Sequence, residues 1–154
     1  PTSKAECTAE EAYQSTNGAA IFASGSPFDP VTLADGRTLI PSQCNNMYVF
    51  PGIGLAASVA GVRRITDKML YLAAVACADT MSADEVAEGR TFPAIGRIRE
   101  VSHAVACAVI EEALARGLTT KLEPDMPPDE IGALVSRKMY YPDYVPLVDP
   151  RSDK

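Results

Sequence analysis

The strongest constraint on this chain is an imbalance along its length: extended-structure signals crowd into the first third, and helical signals fill most of the rest. Ala19-Ala20-Ile21-Phe22-Ala23 is a short apolar run suited to a strand buried on both faces. It stops abruptly at Ser24-Gly25-Ser26-Pro27. Strand ends of that kind, small and polar after a buried run, are where open α/β sheets bind ligands. Asp35-Gly36 is a turn signal between Val31-Thr32-Leu33 and Thr38-Leu39-Ile40, which predicts a small hairpin. Met47-Tyr48-Val49-Phe50 reads as one more short strand or extended segment. Two or three strands are too few for a comfortable sheet of their own. The pattern therefore predicts an α/β fold, strand-poor, resembling the late part of a larger doubly wound domain.

The helices are announced by their caps. Thr8 and Glu11 form a capping box ahead of Ala12 and Tyr13, and Asn17-Gly18 stops that helix. Pro51-Gly52 opens a small-residue helix through Ala60, and Thr66-Asp67 opens another. Ser82 to Glu85 is a second capping box, ended by Gly89. Val101, Val105, Ala108, Val109 and Ala113 recur at helical spacing between Ile98 and Arg116, before Gly117. Pro127-Pro128-Asp129 starts a last helix through Met139, and the proline-bearing tail from Tyr140 is expected to be extended.

Composition limits the function classes. A chain of 154 residues, 47% hydrophobic and 22% charged, has the material for one soluble globular domain and leaves no room for a long disordered tract. Its longest apolar stretch, Ile53 to Val62, is too short to span a bilayer. A net charge of −6 argues against nonspecific binding to nucleic acid or to an anionic membrane. Cys7, Cys44, Cys77 and Cys107 make no CxxC pair, which predicts neither a zinc site nor a disulfide framework, and a reducing compartment. The chain opens at Pro1-Thr2-Ser3 without an initiator Met or a signal-like run, so an internal or processed piece is expected.

Few residues could carry chemistry. Gly52-Ile53-Gly54-Leu55-Ala56-Ala57 has the form of a dinucleotide fingerprint, but Pro51 stands where the tight turn belongs and no acid-ended strand follows. Glycines that let a buried helix pack closely are the stronger reading. His103, the only histidine, shares a helix face with Cys107; two ligands do not make a metal site, and a half-buried structural His is the stronger reading there too. The pairs Arg63-Arg64 and Arg97/Arg99 read as solvated faces or interdomain salt bridges. Asn45 and Asn46, flanked by Gln43 and Tyr48, are turn residues or the rim of a cleft, where a neutral carboxamide hydrogen-bonds a hydroxy acid or a cofactor amide. Ser24-Gly25-Ser26 is similarly a turn or a place of close ligand approach. Tyr140, Tyr141 and Tyr144, with Pro142 and Pro146, suit docking, and a noncatalytic interaction or oligomerisation module is the alternative function. No nucleophile, metal cage or convincing base can be assembled.

Three strings resemble malic enzymes: Lys4-Ala5-Glu6-Cys7-Thr8-Ala9-Glu10-Glu11-Ala12-Tyr13, Ile21-Phe22-Ala23-Ser24-Gly25-Ser26-Pro27-Phe28, and Gln43-Cys44-Asn45-Asn46-Met47-Tyr48-Val49-Phe50-Pro51-Gly52. Their order and spacing match, as do Glu88-Gly89-Arg90 and Arg99-Glu100-Val101-Ser102, so the likeness runs from residue 1 to about 145. The resemblance implies oxidative decarboxylation of L-malate to pyruvate and carbon dioxide, with NAD or NADP and a divalent Mg or Mn ion. It implies a partial Rossmann-like unit: residues 1–126 as the C-terminal half of an NAD(P)-binding domain, and 127–154 as a C-terminal helix and tail. Asn45 and Asn46 would be substrate-binding, and Ser24, Gly25, Ser26 and Asn46 cofactor-binding. The acid–base pair, metal ligands, malate-binding Arg and dinucleotide motif would lie upstream, leaving the isolated piece inactive. A homodimer or homotetramer in the cytoplasm or mitochondrial matrix, not secreted, is also implied. Ser42 and Cys44 depart from the family, which usually has glycine at both places. The larger residues either shift the loop carrying Asn45 or follow a lineage preference.

Overall fold

Thr8 begins the regular structure. In the computed structural model, which describes residues 4–142 and 144, its hydroxyl accepts from the Glu11 amide at 3.1 Å while the Glu11 carboxylate accepts from the Thr8 amide at 2.7 Å. This capping box opens α1 (Ala9–Ser15). Asn17 and Gly18, both at positive φ, turn the chain out of it.

The apolar run that follows is less regular than its composition predicts. Only Ala23–Ser24 forms a strand, β1, and Ile21 lies 75% exposed. A strand is buried on both faces only when layers cover both, and among the described residues β1 has a single strand neighbour. The hairpin forms as expected, with β2 (Val31–Thr32) antiparallel to β3 (Thr38–Leu39) and Gly36 at positive φ in the turn. β4 (Ser42–Gln43) then pairs parallel with β1, placing Ala23 opposite Ser42 and Ser24 opposite Gln43.

The Met47–Phe50 segment corrects the expectation of a strand. Asn45 caps a 3₁₀ turn (Asn46–Tyr48) by accepting from the Met47 amide at 3.1 Å, and α2 (Phe50–Ala60) begins at once with Pro51 in its first turn. A local cap and a helix-starting proline override the β propensity of Tyr48, Val49 and Phe50. The remaining helices fall where caps, apolar spacing and a helix-starting proline predict them: α3 (Asp67–Asp79), α4 (Ala83–Ala87), α5 (Ile98–Ala115) and α6 (Pro128–Lys138). Of the tail, Tyr140, Tyr141 and Tyr144 are exposed, and Arg99 lies 4.4 Å from the Tyr141 ring centre; Pro146 and its neighbours lie outside the described residues.

Two cores result. The larger gathers α2, α3, α5 and α6 around Ala56, Met69, Val105, Val109 and Ile131. Gly52 belongs to it for a steric reason. A Cβ there would meet the Val105 side chain at 2.6 Å and the Ser102 carbonyl at 2.8 Å, so the glycine lets α2 and α5 touch. The smaller core, Ala9, Tyr13 and Leu39 with Phe22 and Phe28 against them, ties α1 to the hairpin.

His103 has a structural place. Its Nε2 lies 3.0 Å from both the Gly132 carbonyl and Ser136 Oγ, fastening α5 to α6, while Nδ1 faces Cys107 Sγ at 3.8 Å. Burial, then the neighbouring Glu111, pushes the Cys107 thiol above its ordinary pKa, away from thiolate chemistry. Cys77 is buried, and all four cysteines are free thiols.

Candidate functional site

Parallel pairing of β1 and β4 puts both carboxyl ends on one edge. From that edge leave the Ser24-Gly25-Ser26 corner and the Gln43-Cys44-Asn45-Asn46 run, the two segments singled out by sequence. Their separation in sequence is bridged by backbone. Ser42 donates its amide to the Phe22 carbonyl at 3.1 Å, and Cys44 donates to the Ser24 carbonyl at 2.7 Å. Two side chains then converge on the Gly25 carbonyl: Gln43 Nε2 at 3.2 Å and Asn45 Nδ2 at 3.4 Å.

The two asparagines differ. Asn45 uses both ends of its carboxamide within the chain, Oδ1 on Met47 and Nδ2 on Gly25. Asn46 is exposed, and its carboxamide has no hydrogen-bond partner among the described residues. Two donors and an acceptor are thus available beside a neutral corner of serines and glycine, a set that suits a carboxylate, a hydroxyl or another carboxamide. Cys44, also exposed, stands between them.

Support comes from residues whose distant partners the local sequence does not reveal. Ser42 is buried, and its Oγ accepts from the amides of Thr91 at 2.7 Å and Phe92 at 3.4 Å. Tyr48 donates its hydroxyl to the Pro93 carbonyl at 2.6 Å, and burial above all raises its pKa, so it stays a neutral donor. The 91–93 segment is held by Glu85, whose carboxylate accepts from Ala94 N at 2.8 Å and from Arg97 at 2.6 Å. The Ser82–Glu85 spacing signals the cap but not these further partners. Nothing in the local pattern around Ser42 signals a contact some fifty residues downstream.

Other candidates stand apart. A cavity of about 340 Å³ between the end of α1 and the hairpin is lined by Tyr13, Gln14, Asn17 and Thr32 to Asp35, and contains none of the site residues. Gly52, Ile53 and Gly54 lie inside α2, with the Ile53 amide donating to Val49 O, and form no phosphate-binding turn. Among the described residues no group of three or more His, Cys, Asp or Glu side chains could hold a metal ion. The donors present do not fit a divalent metal, and no residue here is assigned to one. No helix of the described residues is long and apolar enough to cross a membrane.

Comparison with known proteins bears on this edge directly. Residues 1–114 match the family model for the malic enzyme NAD-binding domain. An NADP-dependent malic enzyme of Dictyostelium discoideum is 48% identical over 144 residues, covering 94% of this chain and 26% of that protein. The Homo sapiens NADP-dependent malic enzyme is 46% identical, with 94% and 25% covered, and the Homo sapiens mitochondrial NADP-dependent malic enzyme is 45% identical, with 94% and 23% covered. The chain spans about a quarter of the length of these curated relatives.

Proposed function

The chain belongs to the malic enzyme family, matching its NAD-binding domain, and from that premise we propose that it works as the C-terminal part of an NAD(P)-dependent enzyme that oxidatively decarboxylates L-malate to pyruvate and carbon dioxide. The observation that carries this reading is the shared edge: Ser24-Gly25-Ser26 and Gln43 to Asn46 are brought together at the carboxyl ends of adjacent parallel strands. That is where an open α/β sheet binds dinucleotide and substrate.

Roles follow from the free valences. Asn46, with its carboxamide unengaged, binds malate and the nicotinamide carboxamide. Asn45 contacts malate with whatever capacity its bonds to Met47 and Gly25 leave, and otherwise holds the corner against the turn. The main chain at Ser24, Gly25 and Ser26 lies beside the cofactor, and the neutrality of these side chains leaves the reacting charge to groups elsewhere. The nicotinamide, which Asn46 and the Ser24–Ser26 corner would hold, would supply the acceptor for a hydride from malate. Acid–base residues and a Mg or Mn ion belong to other parts of the enzyme, because the donor set here fits neither. The relatives are named NADP-dependent, which makes NADP the first cofactor to test. We assign residues 1–126 to the NAD(P)-binding domain and 127–154 to a C-terminal helix and tail, in a homodimer or homotetramer of the cytoplasm or mitochondrial matrix.

The test is steady-state kinetics on the full-length enzyme. Asn46→Ala is expected to lower kcat/KM for malate about tenfold or more, the scale of a lost hydrogen bond to a charged group. Asn45→Ala is expected to lower it less, with folding intact by circular dichroism. Unchanged kinetics in both variants would remove the asparagines from the site.

A further inference from the structure

We propose that Ser42 is a positioning residue, holding the Asn45–Asn46 turn in register with the Ser24–Ser26 corner by clasping the backbone of Thr91 and Phe92. The inference rests on the malate reading above.

Ser42 faces two ways. Its amide points to β1, donating to Phe22 O, and its hydroxyl points to the segment after α4, accepting from Thr91 and Phe92. Two residues earlier the Ile40 amide donates to Glu88 O at 3.0 Å, so alternate residues of this extended stretch bind the same neighbouring segment. Ser42 is one of three buried polar or charged residues in the molecule as described, with 3% of its surface exposed. A hydroxyl buried so thoroughly and used twice as an acceptor is committed to that segment.

Position follows from what lies beyond it. Cys44, Asn45 and Asn46 are all exposed and contribute nothing to either core. The turn is fixed at its far end by Tyr48, through the Pro93 carbonyl and a ring contact with Phe92 at 5.2 Å. At its near end it is fixed by Ser42. Both anchors fall on residues 91 to 93, which Glu85 and Arg97 tie in turn to the start of α5. The exposed carboxamides thus lie between two clasps on one segment, with Asn45 also bonded to the Gly25 carbonyl. Removing the Ser42 hydroxyl leaves the Thr91 amide without its acceptor and detaches the near end of the turn from the 91–93 segment, while its backbone pairing with β1 remains.

The experiment uses the full-length enzyme with Ser42→Ala, Ser42→Cys and Ser42→Thr. In Ser42→Ala, amide hydrogen exchange at Thr91 is expected to quicken, and the malate KM to rise about three- to tenfold with kcat changed less, the range of one net hydrogen bond. Ser42→Thr keeps the acceptor and should stay near wild type. Ser42→Cys, close in volume but a weak acceptor, should fall between, and it guards against a failure of the alanine variant to fold. Faster exchange with an unchanged malate KM would make Ser42 merely structural and overturn the proposal, as would unchanged exchange. Wild-type enzyme that does not turn over malate would sink the underlying malate reading, and this proposal with it. Active wild type with a KM indifferent to Ser42 would sink this proposal alone.

Discussion

Tyr13 shows how a residue's chemistry can be legible while its cost is not. It follows the capping box in α1, and the fold leaves it only 1% exposed, in the smaller core. Yet its hydroxyl has no hydrogen-bond partner among the described residues, and burial pushes its pKa up. An orphaned hydroxyl in an apolar setting opposes folding, and removing it leaves the ring contact with Phe22 in place. Tyr13→Phe is therefore expected to stabilise the protein by about 1 kcal/mol, seen as a higher midpoint in thermal or urea unfolding. A lower midpoint would mean that the hydroxyl has a partner in solution. The same scale explains what the sequence hid at the site. Asn45 and Asn46 stand out because carboxamides beside an apolar run are conspicuous. Ser42 stands out only as a departure from the family's glycine, because a serine's role depends on which distant amides reach it.

At the scale of elements, caps and stops were readable because they are local. Thr8/Glu11, Thr66 and Ser82/Glu85 each bond within their own first turn. Strands were not, because they depend on partners. Ala19–Ala23 reads as doubly buried, yet β1 has one strand neighbour among the described residues, while Met47–Phe50 reads as extended and forms a turn and helix under the Asn45 cap. Glu85 shows an element acquiring a second task. Burial alone would raise its pKa, but the amides of Ala94 and Ser82 and the Arg97 guanidinium outweigh that and hold it below its ordinary 4.5. A carboxyl depressed on folding stabilises the native state above its unfolded pKa, and that stabilisation is lost as pH falls through the depressed value. Glu85→Gln is expected to lower stability at pH 7 by about 1–2 kcal/mol, since it keeps one acceptor but loses the charge. The gap to wild type should narrow steadily below pH 4.5. Melting curves across that range check it, and a gap independent of pH would show that the carboxylate's charge is not what Glu85 contributes.

On the proposed reading, the described residues carry one edge of a binding site without the platform beneath it. Most buried residues belong to the helical core, whereas the parallel pair that presents Ser24 and Asn46 is two residues long in each strand. A dinucleotide needs a run of parallel strands and a glycine turn whose free amides meet the pyrophosphate. Here the only glycine motif of that form is inside α2, with Gly52 pressed against Val105 and its neighbouring amide already bonded within the helix. On the proposed reading, what the described residues offer is contact with one end of the cofactor. Isolated chain of residues 1–154 is therefore expected to bind NADP only in the millimolar range or not at all, at roughly 4 kcal/mol or less. Full-length enzyme should bind it far more tightly. Titration calorimetry on both decides the matter, with the circular dichroism of the isolated chain as a check that its helices have formed. Micromolar binding by the folded chain alone would mean that it is a dinucleotide domain in its own right, and that the shared edge of β1 and β4 is more than one wall of a larger site.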